Sequence, residues 1–151
     1  MKNRGFETVV FPHAKFTEYP TLPKRGSKHS AGWDFFLMED VIIPAGETVI
    51  TWTDIKSYMQ PDEVLKIYIR SSLGVKKKLM IANGTGVVDS DYYSNPDNDG
   101  NIMVALYNYG RNDIVLLKGD RVAQGIFEKY LVADGDETTE ERTGGVGSTG
   151  K

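Results

Sequence analysis

NIMVALYNY, Asn101 to Tyr109, alternates side chains in step with a pleated strand. Ile102, Val104 and Leu106 fall on one face and Met103, Ala105 and Tyr107 on the other, because successive strand side chains point to opposite sides. Both faces are apolar enough to be covered. VLKIYIR, Val64 to Arg70, repeats the pattern with Leu65, Ile67 and Ile69 on one face. Similar short runs, VIIP, ETVITWT, DIVLL and RVAQGIFEKY, are separated by the turn-forming stretches PAGE, MQPDE, NYGRND and LKGD. The spacing predicts an all-β domain. Only SSLGVKKKL, from Ser71, has helical character, with Ser71 or Ser72 as N-cap and lysines toward the end that the helix dipole makes negative.

The 151 residues, 40% hydrophobic and 26% charged, fit one domain. A formal net charge of −3 argues against binding a nucleic-acid backbone, although a single nucleotide needs only a few well-placed cations. No cysteine is present, so disulfides and thiolate metal sites are excluded, and two histidines, His13 and His29, are few for a zinc site. Any metal is expected to be hard and oxygen-bound. No signal-peptide h-region and no run near the roughly 18 apolar residues of a membrane span is visible, so a soluble cytoplasmic protein is expected.

Four stretches carry candidate chemistry. GVVDSDYY sets Asp89 and Asp91 between two valines and two tyrosines. On a strand the two carboxylates share a face and repel unless solvated or given different partners, so the stretch reads either as a hydrolase site with a proton-accepting acid or as an ordinary turn. IRSSLG joins a guanidinium, two hydroxyls and the free amides of a helix start, which suits a phosphate, but it equally describes a simple N-cap with a surface arginine. NPDNDGNI copies the first half of an EF-hand loop, yet position twelve is Leu106 rather than a glutamate, so an exposed loop is expected. RTGGVGSTGK contains a GxxxxGK pattern, but a P-loop is not expected, since that loop works between a strand and a helix N-terminus with a Ser or Thr after its Lys. Arg142, the glycine amides, Ser148 and Thr149 still offer phosphate donors, while composition alone describes a disordered tail.

In order and separation, AGWDFF, RSSLG, NGTGVVDSDYY, GDRVAQ and RTGGVGSTG resemble the five motifs of the homotrimeric dUTPases. The resemblance runs from Ala31 nearly to the C-terminus. It implies a jelly-roll-like β-barrel over residues 1–135, a glycine-rich arm over 136–151 that closes over a neighbouring subunit's site, and Mg2+-assisted hydrolysis of dUTP to dUMP and pyrophosphate. Asp89 matches the carboxylate that deprotonates the attacking water, and Tyr92 the aromatic residue beneath the deoxyribose. Asn83, Val87, Val88 and Met103 match positions around uracil. Arg70, Ser71, Ser72 and Gln124 match triphosphate contacts, and Arg142, Val146, Gly147, Ser148 and Thr149 belong to the closing arm. By the same resemblance the metal sits on phosphate oxygens and waters, with no direct protein ligand, and Asp34 is structural or stands behind the metal's own ligands.

The chain departs from the family pattern at several points. Val146 stands where a stacking Phe is common, the arm is one residue shorter, and Ile69 replaces a frequent Pro. Ser94 to Asp99 lengthen the hairpin after Tyr92, and Asn101 replaces an acid. The longer loop makes a second reading, a nucleotide-binding trimeric regulator with a protein partner at Ser94–Asp99, the alternative to the enzyme. A dCTP deaminase shares the fold, but no suitably embedded glutamate is found.

Overall fold

The computed structural model describes residues 2–148. Twelve strands, all paired antiparallel among these residues, form four sheets. They are β1 (Gly5–Thr8), β2 (Lys24–Arg25), β3 (Trp33–Phe36), β4 (Val41–Ile43), β5 (Thr48–Trp52), β6 (Ile55–Tyr58), β7 (Glu63–Ile69), β8 (Leu79–Ile81), β9 (Gly86–Asp89), β10 (Met103–Asn108), β11 (Ile114–Leu116) and β12 (Arg121–Lys129). The largest sheet has the order β2-β3-β12-β7-β9, and the next β5-β10-β8; β1 pairs with β6 and β4 with β11. The all-β jelly-roll-like expectation holds, with sheets that do not close on themselves.

The alternation in β10 does what its sequence dictates. Val104 and Leu106 are buried in the core, while Met103, Ala105 and Tyr107 are half-covered. From β7, Leu65 and Ile67 enter the same core with Phe35, Ile43, Ile55, Leu79 and Val122. Burying aliphatic side chains of this size contributes about 1.5–3 kcal/mol each. The core therefore fixes the strand ends that carry the polar stretches.

The predicted helix is α1 (Ser71–Lys77), but its N-cap is Arg70, one residue before the expected serines. Arg70 has extended backbone, and its carbonyl accepts from the amides of Leu73 and Gly74. The Ser71 and Ser72 amides in the first turn therefore have no intrahelical partner. No described helix is long and apolar enough to cross a membrane. After β12 the chain runs without strands, and residues 142–148 return to pack beside β9.

Candidate active site

β9 ends at Asp89 and passes into a single 3-10 turn, Ser90–Tyr92. Strand alternation sends Val88 into the core and leaves Val87 exposed. Asn83, Val87, Val88, Asp89, Tyr92 and Met103 line one cavity of about 220 Å3. Arg142, Val146 and Gly147 of the returning arm complete its wall. Nine of the predicted site residues thus meet around one space, walled by aliphatic side chains and the Tyr92 ring together with the polar groups of Asn83, Asp89 and Arg142.

Arg142 dominates the electrostatics here. One terminal nitrogen of its guanidinium lies 2.7 Å from Asp89 Oδ2, and its Nε lies 2.8 Å from Asp91 Oδ1. The two aspartates, expected to be solvated or to have different partners, share one cation through different nitrogens and stay solvated. The Arg142 side chain is only 7% exposed, whereas those of Asp89 and Asp91 are 51% and 55% exposed. Both carboxylates therefore still reach solvent. The guanidinium also stands 5.5 Å from the centre of the Tyr92 ring. Tyr92 is itself buried, which pushes its phenol above the ordinary tyrosine range and keeps the hydroxyl neutral. That hydroxyl donates to the Asn101 carbonyl at 3.1 Å and accepts from Asn98 Nδ2 at 2.8 Å. The ring is thereby fixed in position.

The phosphate candidates gather elsewhere. Arg70, Ser71, Ser72 and Gln124 line an open basin of about 490 Å3 together with Asp34 and Arg121. Asp34 is buried on β3 and pairs with both arginines, Arg70 Nε at 3.3 Å and Arg121 through a terminal nitrogen at 3.3 Å. One acid thus orients two guanidiniums. Gln124 stands opposite Asp34 in the β3–β12 register, and a Cβ at Gly32 would lie 2.2 Å from Gln124 Oε1. The glycine of AGWDFF leaves the space in which that amide sits. The cavity and the basin share no lining residue, so the predicted residues fall into two groups.

Among the arm residues, Ser148 turns back to donate to the carbonyls of Gly144 and Gly145, both at 2.8 Å, and Thr149 lies outside the described residues. Four contributors were not singled out from sequence: Arg121, Asp91 as a partner of Arg142, Asp97, whose carboxylate accepts the Gly145 amide at 2.7 Å, and Asn98. Asn101, in place of the family's acid, is fully buried and donates to Asp54 Oδ1 at 2.7 Å. Asp54 is also buried and accepts the amides of Lys15 and Phe16. A carboxylate at 101 would face that carboxylate in the interior, where like charges are costly. Among the described residues no three His, Cys, Asp or Glu side chains gather as a metal cage. The basin's guanidiniums, hydroxyls and amide suit phosphate oxygens rather than a cation.

A cavity that sets aliphatic side chains and one tyrosine ring beside a carboxylate, with a basin of arginines and hydroxyls, has the chemistry to suit a nucleotide on an antiparallel scaffold. Comparison with known proteins narrows it: the dUTPase family model matches residues 18–150. The deoxyuridine 5'-triphosphate nucleotidohydrolase of Lactococcus lactis is 48% identical over 153 aligned positions, covering 99% of this chain and 99% of that protein. The Saccharomyces cerevisiae enzyme of the same name is 38% identical, covering 86% and 87% respectively. The dUTPase structure from Streptococcus mutans superposes with a TM-score of 0.78 at 42% identity, over 87% of this chain and 99% of that one. The chain belongs to the dUTPase family.

Proposed function

We propose that this protein hydrolyses dUTP to dUMP and pyrophosphate, withdrawing dUTP from the pool available to DNA synthesis, and that it does so as a homotrimer. The observation that carries this reading is the single cavity in which Asn83, Val87, Val88, Tyr92 and Met103 meet the half-exposed Asp89 under Arg142. Uracil and deoxyribose enter this cavity, with the sugar against the Tyr92 ring. Donors and acceptors on the base are matched largely by main-chain groups, so a cytosine would leave polar groups unpaired, and thymine's methyl is excluded by lack of space.

Asp89 takes a proton from a water molecule, the oxygen attacks the α-phosphorus in line, and the bond to the oxygen bridging the α- and β-phosphorus breaks. Pyrophosphate leaves. Arg70, Ser71, Ser72 and Gln124 bind the triphosphate, with Asp34 holding Arg70 and Arg121 in place. Arg142 neutralises Asp89 while the site is empty and moves onto the more highly charged phosphates when substrate arrives, releasing the carboxylate as base. Val146, Gly147, Ser148 and Thr149 close over the nucleotide, and residues 136–151 act as an arm distinct from the β domain of 1–135. The donor chemistry fits Mg2+ carried on the triphosphate oxygens and waters rather than on protein ligands. When bound there it would supply charge neutralisation for the leaving group.

The separation of cavity and basin within one chain favours the trimer, since a neighbouring copy can bring its basin to this cavity. Mixing two inactive variants, Asp89→Asn and Arg70→Ala, in equal amounts during expression tests this. Shared sites return about a quarter of wild-type turnover, because each half must be intact and each is present one time in two. Sites built within single chains return none.

A further inference from the structure

We infer that the loop Ser94–Asp99 is a preformed dock for the C-terminal arm, with Asp97 as its positioning residue. The loop is held tightly. Asn95 is buried, its Nδ2 donating to the Tyr92 carbonyl and to Asn98 Oδ1, both at 2.8 Å, while its Oδ1 accepts the Asp97 amide at 3.1 Å. Asn98 ties the loop to the Tyr92 hydroxyl, and Asp99 pairs with the largely buried Lys56 at 2.8 Å. Ser94, Asp99 and Gly100 take positive φ values of 54°, 57° and 82°, a backbone path that these surrounding bonds maintain.

Asp97 points its carboxylate outward from this frame and receives the Gly145 amide at 2.7 Å. Gly144 and Gly145 are buried in the contact, and a Cβ at Gly144 would stand 2.4 Å from Asp97 Oδ2. The paired glycines let the acid approach the arm's backbone. The arm is thus held at two points of different kinds. Arg142 on Asp89 and Asp91 is a side-chain contact that incoming phosphates can compete for; Gly145 on Asp97 is a backbone contact lying outside the reacting groups. The second contact survives when the first is exchanged, keeping the arm at high local concentration over the nucleotide. The loop thereby compensates for the shorter arm and for the smaller surface of Val146. The same acceptors are presented to an arm of this chain or of a neighbour.

This inference rests on the reading of Asp89 as the base beneath a closing arm, and two readouts separate the two. Trypsin cleavage after Arg142, followed by mass spectrometry, is expected to run at least about fivefold faster in Asp97→Ala and in Gly144→Ala than in wild type, and near the wild-type rate in Asp97→Asn, which keeps an acceptor oxygen. Independently, Asp97→Ala is expected to lower kcat/KM for dUTP about tenfold in the full chain and to have no effect in a chain ended before Arg142. Unchanged cleavage in both Asp97→Ala and Gly144→Ala overturns the dock, as does an equal kinetic loss with and without the arm. If wild type releases no pyrophosphate from dUTP, the hydrolase reading fails while the cleavage comparison still decides the dock.

Discussion

At the scale of single residues, Asp89 has the most demanding part in the proposed hydrolysis. Its carboxylate stays half-exposed although Arg142 covers one oxygen, so it remains reachable by water once the guanidinium moves. Asp89→Asn is expected to lower kcat by about 10²–10⁴-fold, since the amide can still hold a water but cannot accept its proton. Binding of a non-hydrolysable dUTP analogue, measured by calorimetry, should remain detectable; turnover near the wild-type level would remove Asp89 from this role. Gly32 makes a second point at the same scale. Gly32→Ala forces the Gln124 side chain to rotate away from a Cβ that would stand 2.2 Å from its Oε1. The expected outcome is a several-fold rise in KM for dUTP with little change in Tm, because the displaced group is the end of a flexible side chain. Asp89 and Tyr92 were legible in the sequence because they sit in one short stretch with its own chemistry. Arg121 and Asp97 were not, because their importance depends on the β3–β12 register and on where residue 145 returns.

Among the elements, the arm shows how a segment without intrinsic structure acquires it. Glycine-rich chain has a high ordering cost, and here the partners that offset it are three aspartates, Asp89, Asp91 and Asp97, all on or just after β9. A chain ended before Arg142 is expected to keep its thermal unfolding transition and its assembly state while losing most hydrolysis. Loss of the folded state, seen by circular dichroism and gel filtration, would make the arm structural instead. The strands themselves were unevenly legible. β10 announces itself through period-two burial and β7 alternates from Leu65 to Tyr68, whereas β3 buries Asp34 and Phe35 in succession and so shows no alternation. β2 is two residues long and exists only through its pairing with β3. The N-cap of α1 falls on Arg70 rather than on a serine because β7 runs straight into the helix, and the arginine's side chain is committed to Asp34.

For the molecule as a whole, stability rests in part on ion pairs outside the cavity and the basin. Glu63 at the start of β7 is buried and pairs with Arg4, the strongest of the influences that hold its carboxyl below the ordinary glutamate range; its burial acts in the opposite sense. A depressed folded-state pKa means that the unfolded chain binds more protons in acid. The contribution is therefore complete above the ordinary carboxylate range and is lost as pH falls through the lower folded value. Urea unfolding should show Glu63→Gln less stable than wild type at pH 7, with the gap narrowing as pH falls below about 4; a constant gap would contradict the pairing. The open sheets and the division between cavity and basin belong to the fold, and no single stretch of sequence could have shown that the two share no residue. The substrate is tested most directly by pyrophosphate release from dUTP, dCTP, dTTP and UTP in parallel, with magnesium and with chelator. Release from dUTP alone, suppressed by chelator, is the predicted result; release from none of the four, or equal release from dTTP, would contradict it.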